Sequence, residues 1–181
     1  MSRTLTQLRL DVRRRADMEN DLFVSVDACD TFINQALAEV HRLIANTFED
    51  YFLKRTTATV ATGANTIAIP SDCARLRGVK VQSGSEWFPL DRVSVRESDR
   101  YDARVFRGGR VARAYYMTES TIFLLPESQA DGSYRVLYDR AFVPLTSASD
   151  TTSLDRDAWY DLAVALAAIK MKDKEESDTS V

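Results

Sequence analysis

The sequence predicts an α+β fold: a helical bundle of two N-terminal helices plus a C-terminal helix, with an inserted small antiparallel β domain, a barrel or a sandwich. Three observations carry this reading. The stretch Ser25–Phe52 places apolar residues in steps of three and four and contains neither Gly nor Pro. From Lys54 the pattern switches to short, alternating, Thr-, Val- and Ile-rich runs separated by turn residues. From Asp155 the helical period returns. Residues 1–53 and 144–181 are therefore expected to form the bundle, and 54–143 the insertion.

Residues 4–17 read as a first helix, because Thr4 and Gln7 have capping-box spacing and Leu5, Leu8 and Val12 form a narrow apolar stripe. Its Arg9, Arg13, Arg14 and Arg15 suit either a solvated helix end or a surface for an acidic partner or for phosphates. The Ser25–Phe52 helix starts at an N-cap serine with Asp27 in the first turn. At full length it would span about 40 Å, too long for a short hairpin to cover. Its stripe names Phe32, Ile33, Ala36, Val40 and Leu43 as bundle core, to be met by Trp159, Leu162 and Leu166 from the last helix. The apolar stripe of that helix also takes in Ala163, Ala167 and Ile169, with Ala165 and Ala168 beside it as small residues that allow close approach.

In the β region, Arg55–Thr62 and Thr66–Ile69 flank Gly63 and read as one hairpin, stopped by Pro70. Leu76–Gln82, a turn at Gly84 and Trp87–Leu90 follow, then one or two helical turns at Ser94–Tyr101. Ala114–Met117 and Thr121–Leu125 flank a Thr-Glu-Ser turn and predict a second hairpin. Tyr134–Phe142 alternates and makes a final strand, giving about six in all. Residues 144–154 are turn-rich, and the helix from Asp155 runs to about Lys174.

The net charge of −3 gives no whole-molecule field toward nucleic acid or membrane. The longest apolar runs are far below the roughly 18–20 residues that cross a bilayer, and the N-terminus lacks the apolar core of a signal peptide. Cys29 and Cys73 lack metal-ligand spacing, and Cys29 falls on the apolar face of the long helix, so no disulfide framework is expected. No cofactor is implied. The single histidine, His41, lies beside an apolar stripe and reads as a helix-surface or core-edge residue, not a general base. The acidic run Glu175, Glu176 and Asp178 reads as a solvated helix end.

One charge feature remains. Arg92, Arg96, Arg100, Arg104, Arg107, Arg110 and Arg113 recur every three or four residues, making a net-positive stretch in a net-negative chain. It is either a solvated loop with local ion pairs or a surface for nucleic acid or an acidic neighbour.

Four stretches together resemble the tailed-bacteriophage head-to-tail adaptor (connector) family. They are SVDACDTFINQALAEVHRL from Ser25; Tyr51–Lys54 through Ile69-Pro70-Ser71-Asp72-Cys73 to Leu76–Val79; Ile122–Pro126 followed by Tyr134–Tyr138; and Trp159–Asp178. The resemblance implies a structural virion protein and not an enzyme. It implies a homo-oligomeric ring, usually of about twelve copies, whose two unlike lateral patches close by rotation. The ring would bind the portal protein, extend the channel for packaged DNA and attach tail or nozzle proteins. It would be made in the host cytoplasm and sit at the capsid–tail junction of the virion, with no membrane partner. In that setting the Arg92–Arg113 residues would face the DNA channel or a neighbouring subunit. The alternative is a nucleic-acid-binding module built on the same arginines.

Overall fold

The computed structural model describes residues 3–19, 24–102, 112–152, 154 and 156–179. They form two compact units, Met1–Phe48 with Phe142–Val181, and Glu49–Ala141.

The helical unit contains α1 (Leu5–Ala16), α2 (Val26–Thr47) and α4 (Asp157–Thr179). The capping box at α1 is formed: Thr4 accepts from the Gln7 backbone, and the Gln7 side chain accepts from the Thr4 backbone. The return segment satisfies further N–H groups of that first turn. Leu5 donates to the Asp150 carbonyl at 2.9 Å and Thr6 to the Ala148 carbonyl at 3.2 Å. The helix ends at Asp17, whose left-handed φ of 60° lets its N–H reach back to the Arg13 and Arg14 carbonyls. Ser25 caps α2 by accepting from Ala28.

Helix α2 stops at Thr47, five residues before the expected end. Phe48 turns extended (φ −119°, ψ 102°), and the strand β1 (Leu53–Val60) begins soon after. Apolar spacing at Phe48 and Tyr51 mimics a further helical turn, but these residues lead into sheet. The Tyr51 and Phe52 rings meet edge to face at 4.9 Å.

The face that α4 buries is Tyr160, Ala163, Val164, Ala167, Ala168 and Met171. Of the anticipated stripe, Ala163 and Ala167 are buried, while its larger members Trp159, Leu162, Leu166 and Ile169 are turned away by about one residue. Leu162 is 37% exposed and Ile169 55%, while Trp159 and Leu166 are half-buried. Both stripes are apolar at helical spacing, so periodicity cannot choose between them; the alanine-bearing face allows closer approach to α1 and α2. On α2, Ile33, Ala36 and Val40 are buried, Phe32 is half-buried, and Leu43 lies 49% exposed, one step off the stripe that runs through Leu37, Val40, His41 and Ile44.

The second unit is a sandwich. Its further strands are β2 (Thr66–Ala68), β3 (Cys73–Ser83), β4 (Glu86–Pro89), β5 (Asp91–Arg92), β6 (Ala114–Thr118), β7 (Thr121–Leu125) and β8 (Gly132–Arg140). One sheet has the order β1-β8-β3-β4 and the other β2-β7-β6-β5. Val60, Val79, Val81, Tyr134, Val136 and Tyr138 from the first face Ile67, Tyr115, Ile122 and Leu124 from the second in a common core. Burial pushes the Tyr134 phenol up to about 12 while its hydroxyl donates to the Ala130 carbonyl.

Two strand expectations are overturned. β1 and β2 are no hairpin: β1 pairs along its whole length with β8, and β2 pairs with β7. The Gly63 turn (φ 86°) is a corner between sheets, since the nine-residue β8 matches β1 far better than three-residue β2 does. Of the eight strands among the described residues, β5 runs parallel to β6, an exception to the antiparallel pattern. The β6–β7 hairpin forms as anticipated, with Thr118 opposite Thr121 and Glu119 at φ 51°. The Ser94 segment is a short 3₁₀ turn running into α3 (Ser98–Asp102), its start closed by a Ser94–Glu97 capping box.

The two α4 faces give opposite expectations. Ala167→Leu overfills the buried contact and should cost about 1–3 kcal/mol. Leu162→Gln should stay within about 0.5 kcal/mol, as surface changes do. Thermal melting of the two variants checks the assignment, and equal losses would contradict it.

Candidate functional site

Among the described residues no group of His, Cys, Asp and Glu is placed to hold a metal ion, and no helix is long and apolar enough to cross a membrane. His41 is buried on α2, 6.0 Å edge-on to Phe142, beside a cavity of about 10 Å³ lined by apolar groups and Thr152. Each unit presents a surface with a distinct chemical character.

On the sandwich unit, the arginine series does not lie on one helix. Arg92 is on β5, Arg96 on the 3₁₀ turn, Arg100 on α3 and Arg113 just before β6, all exposed. Arg104, Arg107 and Arg110 lie outside the described residues. β5 brings Arg92 and Arg113 to one sheet edge, because Asp91 donates to the Arg113 carbonyl and Arg92 pairs with Tyr115. Glu97 accepts from the Ser94 backbone and hydroxyl, which holds its carboxyl below the usual range, with Arg100 adding a smaller pull. Beside this edge a cavity of about 430 Å³ opens among Val81, Phe88, Leu90, Asp91 and Arg113.

On the helical unit, the surface is apolar. α4 presents Leu162 and Ile169 outward, with Trp159 and Leu166 half-buried alongside. α2 continues the patch. The Phe48 ring, 41% exposed, meets Trp159 edge to face at 5.9 Å, and Glu39 accepts from Lys170 at 3.0 Å. These contacts fix α2 and α4 antiparallel, with Leu43 of α2 exposed between them in sequence. The apolar spacing of Leu162 and Ile169 predicts core, yet the structure leaves both exposed, because the neighbouring alanine-bearing face takes the contact.

The arginines of α1 are partly spent inside the unit. Arg9 grips Asp30 of α2 with two bonds of 2.6 Å, Arg13 donates to the Val24 carbonyl and Arg14 pairs with Glu19. The carboxylate of Asp30, by hydrogen bonding, keeps the Arg9 guanidinium above its ordinary value. Asn34 is half-buried on α2. Its amide clasps the Leu145 backbone in both directions, at 2.9 and 2.8 Å, and so seats the return segment.

A family model described as SU10 adaptor protein matches residues 3–180, nearly the whole chain. No curated protein matches it. The family match agrees with the adaptor resemblance of the four stretches quoted above.

Two internal fastenings carry measurable consequences. Arg9→Ala should cost roughly 1–2 kcal/mol, the range for a charged hydrogen-bonded pair discounted for partial exposure, and denaturant titration checks it. Asp150 accepts from the Ser147 and Thr146 backbones, which lower its carboxyl from 3.8. A depressed folded pKa gives stability that is complete above the unfolded value and lost as pH falls through the folded one. Asp150→Asn should therefore lower the melting temperature at neutral pH, and the gap from the native chain should shrink as pH drops below 3.8.

Proposed function

Because the chain belongs to the SU10 adaptor protein family, a family of phage head-to-tail adaptors, we propose that it assembles into a homo-oligomeric ring at the capsid–tail junction of the virion. The ring binds the portal protein, continues the channel for packaged DNA and holds tail or nozzle proteins, with roughly twelve copies closed by rotation. It acts as a structural part and not as an enzyme, and is made in the host cytoplasm. The helical unit, expected over 1–53 with 144–181 and found over 1–48 with 142–181, serves as the rigid part, and the sandwich unit over 49–141 as the lateral or tail-facing part.

One observation supports this reading beyond the family match. A compact helical unit leaves Leu43, Phe48, Leu162 and Ile169 exposed around the α2–α4 seam. Contiguous exposed apolar surface marks interaction sites. A rotationally closed ring needs two unlike surfaces per subunit, and this patch supplies one of them. The arginine edge at Arg92, Arg96, Arg100 and Arg113, with Arg104, Arg107 and Arg110 in the same stretch of sequence, supplies a cationic surface for the channel or for a neighbour. The bundle core formed by Phe32, Ile33, Ala36 and Val40 keeps the patch rigid.

The test separates folding from assembly. Leu162→Glu with Ile169→Glu should leave the melting temperature within a few degrees of the native chain but abolish rings in negative-stain images and co-sedimentation with portal. Native chain that stays monomeric alone and with portal would overturn the proposal.

A further inference from the structure

The outward face of the β1-β8-β3-β4 sheet carries an arrangement that folding does not favour. Parity follows from the core: Val60, Val79, Val81, Tyr134 and Val136 point inward, so their strand neighbours point out. The outward set includes Arg55, Thr57 and Thr59 on β1, Ser133 and Arg135 on β8, and Lys80 and Gln82 on β3. Lys80 and Arg135 stand directly opposite each other in register, and Thr57 faces Arg135 from the other side. Arg55 is the diagonal neighbour, two pairs further on and so on the same face, opposite Leu137. Like charges directly opposite on a sheet are destabilising.

Among the described residues no ion pair neutralises Arg55, Lys80 or Arg135. The carboxylates nearest along β8 are Asp131, ahead of the strand, and Asp139, which is held by Arg77 at 2.8 Å. Instead the Arg135 guanidinium is laid over the Trp87 ring of β4, 4.1 Å from its centre. That contact orients a cation without consuming its charge. The remaining groups are the hydroxyls of Thr57, Thr59 and Ser133, which can donate hydrogen bonds, and the Gln82 amide, which already donates to the Gly84 carbonyl at 3.2 Å. A chain of net charge −3 thus concentrates three cations and several neutral donors across three adjacent strands.

We infer that this sheet face is a contact surface for the phosphate backbone of nucleic acid, centred on Arg55, Lys80 and Arg135. Phosphate recognition draws on Arg and Lys together with Ser, Thr and Gln donors, and the residues here are of those kinds. An acidic protein surface is the less favoured partner, since protein interfaces centre on buried apolar anchors and the apolar residues that parity places on this face, Leu53, Trp87, Pro89 and Leu137, are few and scattered over three strands. The arrangement is separate from the Arg92–Arg113 edge, which lies on the other sheet and beyond. It does not depend on the ring: phosphate contact would hold for the free chain as well.

The experiment uses the full chain and a short fluorescein-labelled duplex DNA of mixed sequence, read by anisotropy across a NaCl series. The variant Arg55→Gln/Lys80→Gln/Arg135→Gln should lose at least about tenfold in affinity, and its salt slope should flatten by about 3, near 0.9 per phosphate contact. Arg55→Lys/Arg135→Lys should keep the slope. Should the triple variant melt early, exposed Arg55→Gln alone should flatten the slope by about 1. Unchanged affinity and slope in the triple variant overturn the inference. So does poly-glutamate bound more tightly than the duplex through the same three residues. Either result, with rings and portal binding intact, leaves the adaptor proposal standing.

Discussion

The helical unit depends on one closure: α4 must lie against both α1 and α2. α1 is 12 residues long, a length at which an isolated helix is marginal in water. Its Leu5, Leu8 and Val12 and the α2 face are buried in the unit to which the alanine-bearing side of α4 belongs. The return segment makes the closure specific. It satisfies the first-turn N–H groups of α1 with the carbonyls of Ala148 and Asp150, and Asn34 grips its backbone at Leu145. The two ends of the chain are thereby interlocked, and neither makes a helical unit without the other.

The same economy governs the sandwich. Its first and last strands, β1 and β8, are hydrogen-bonded neighbours over their full length, and Arg140 donates to the Phe52 carbonyl at their ends. A unit whose ends meet in this way can interrupt another with little strain, because chain entry and exit are close together. The long-range β1–β8 pairing also explains why the local reading went wrong at Gly63. Composition marks where a turn falls, but a hairpin and a corner between sheets use the same turn residues. Which partner β1 takes is decided by a strand more than seventy residues further on, beside which three-residue β2 is a poor match.

What was legible follows the range of the physics. The Thr4–Gln7 capping box, the Ser25 cap and the Thr118–Thr121 hairpin are set by residues within one turn of each other, and all three formed. The choice of buried face on α4 is set by α1 and α2, and there the reading was off by about one residue. The arginine series looked periodic, yet the structure distributes its described members over a strand, two short helical turns and a loop. Evenly spaced charge is not evidence of a helix without an apolar stripe to match it. The α1 arginines stood open between solvent and partner because Asp30 and the Val24 carbonyl, partners of Arg9 and Arg13, lie outside α1 itself.

The misreading of α4 has a physical content of its own. A helix apolar on more than one side is ordinarily buried on more than one side. In a single copy α4 buries the Tyr160–Met171 face and leaves Leu162 and Ile169 in solvent, beside Phe48 and Leu43 of α2. A monomeric protein gains nothing from keeping that second stripe, since exposed leucine and isoleucine at helical spacing invite association. A subunit that must present one apolar surface to its neighbour while keeping its own bundle closed needs two faces on one helix. The ambiguity that defeats a single-chain reading of the pattern is therefore what an assembling subunit would be expected to show.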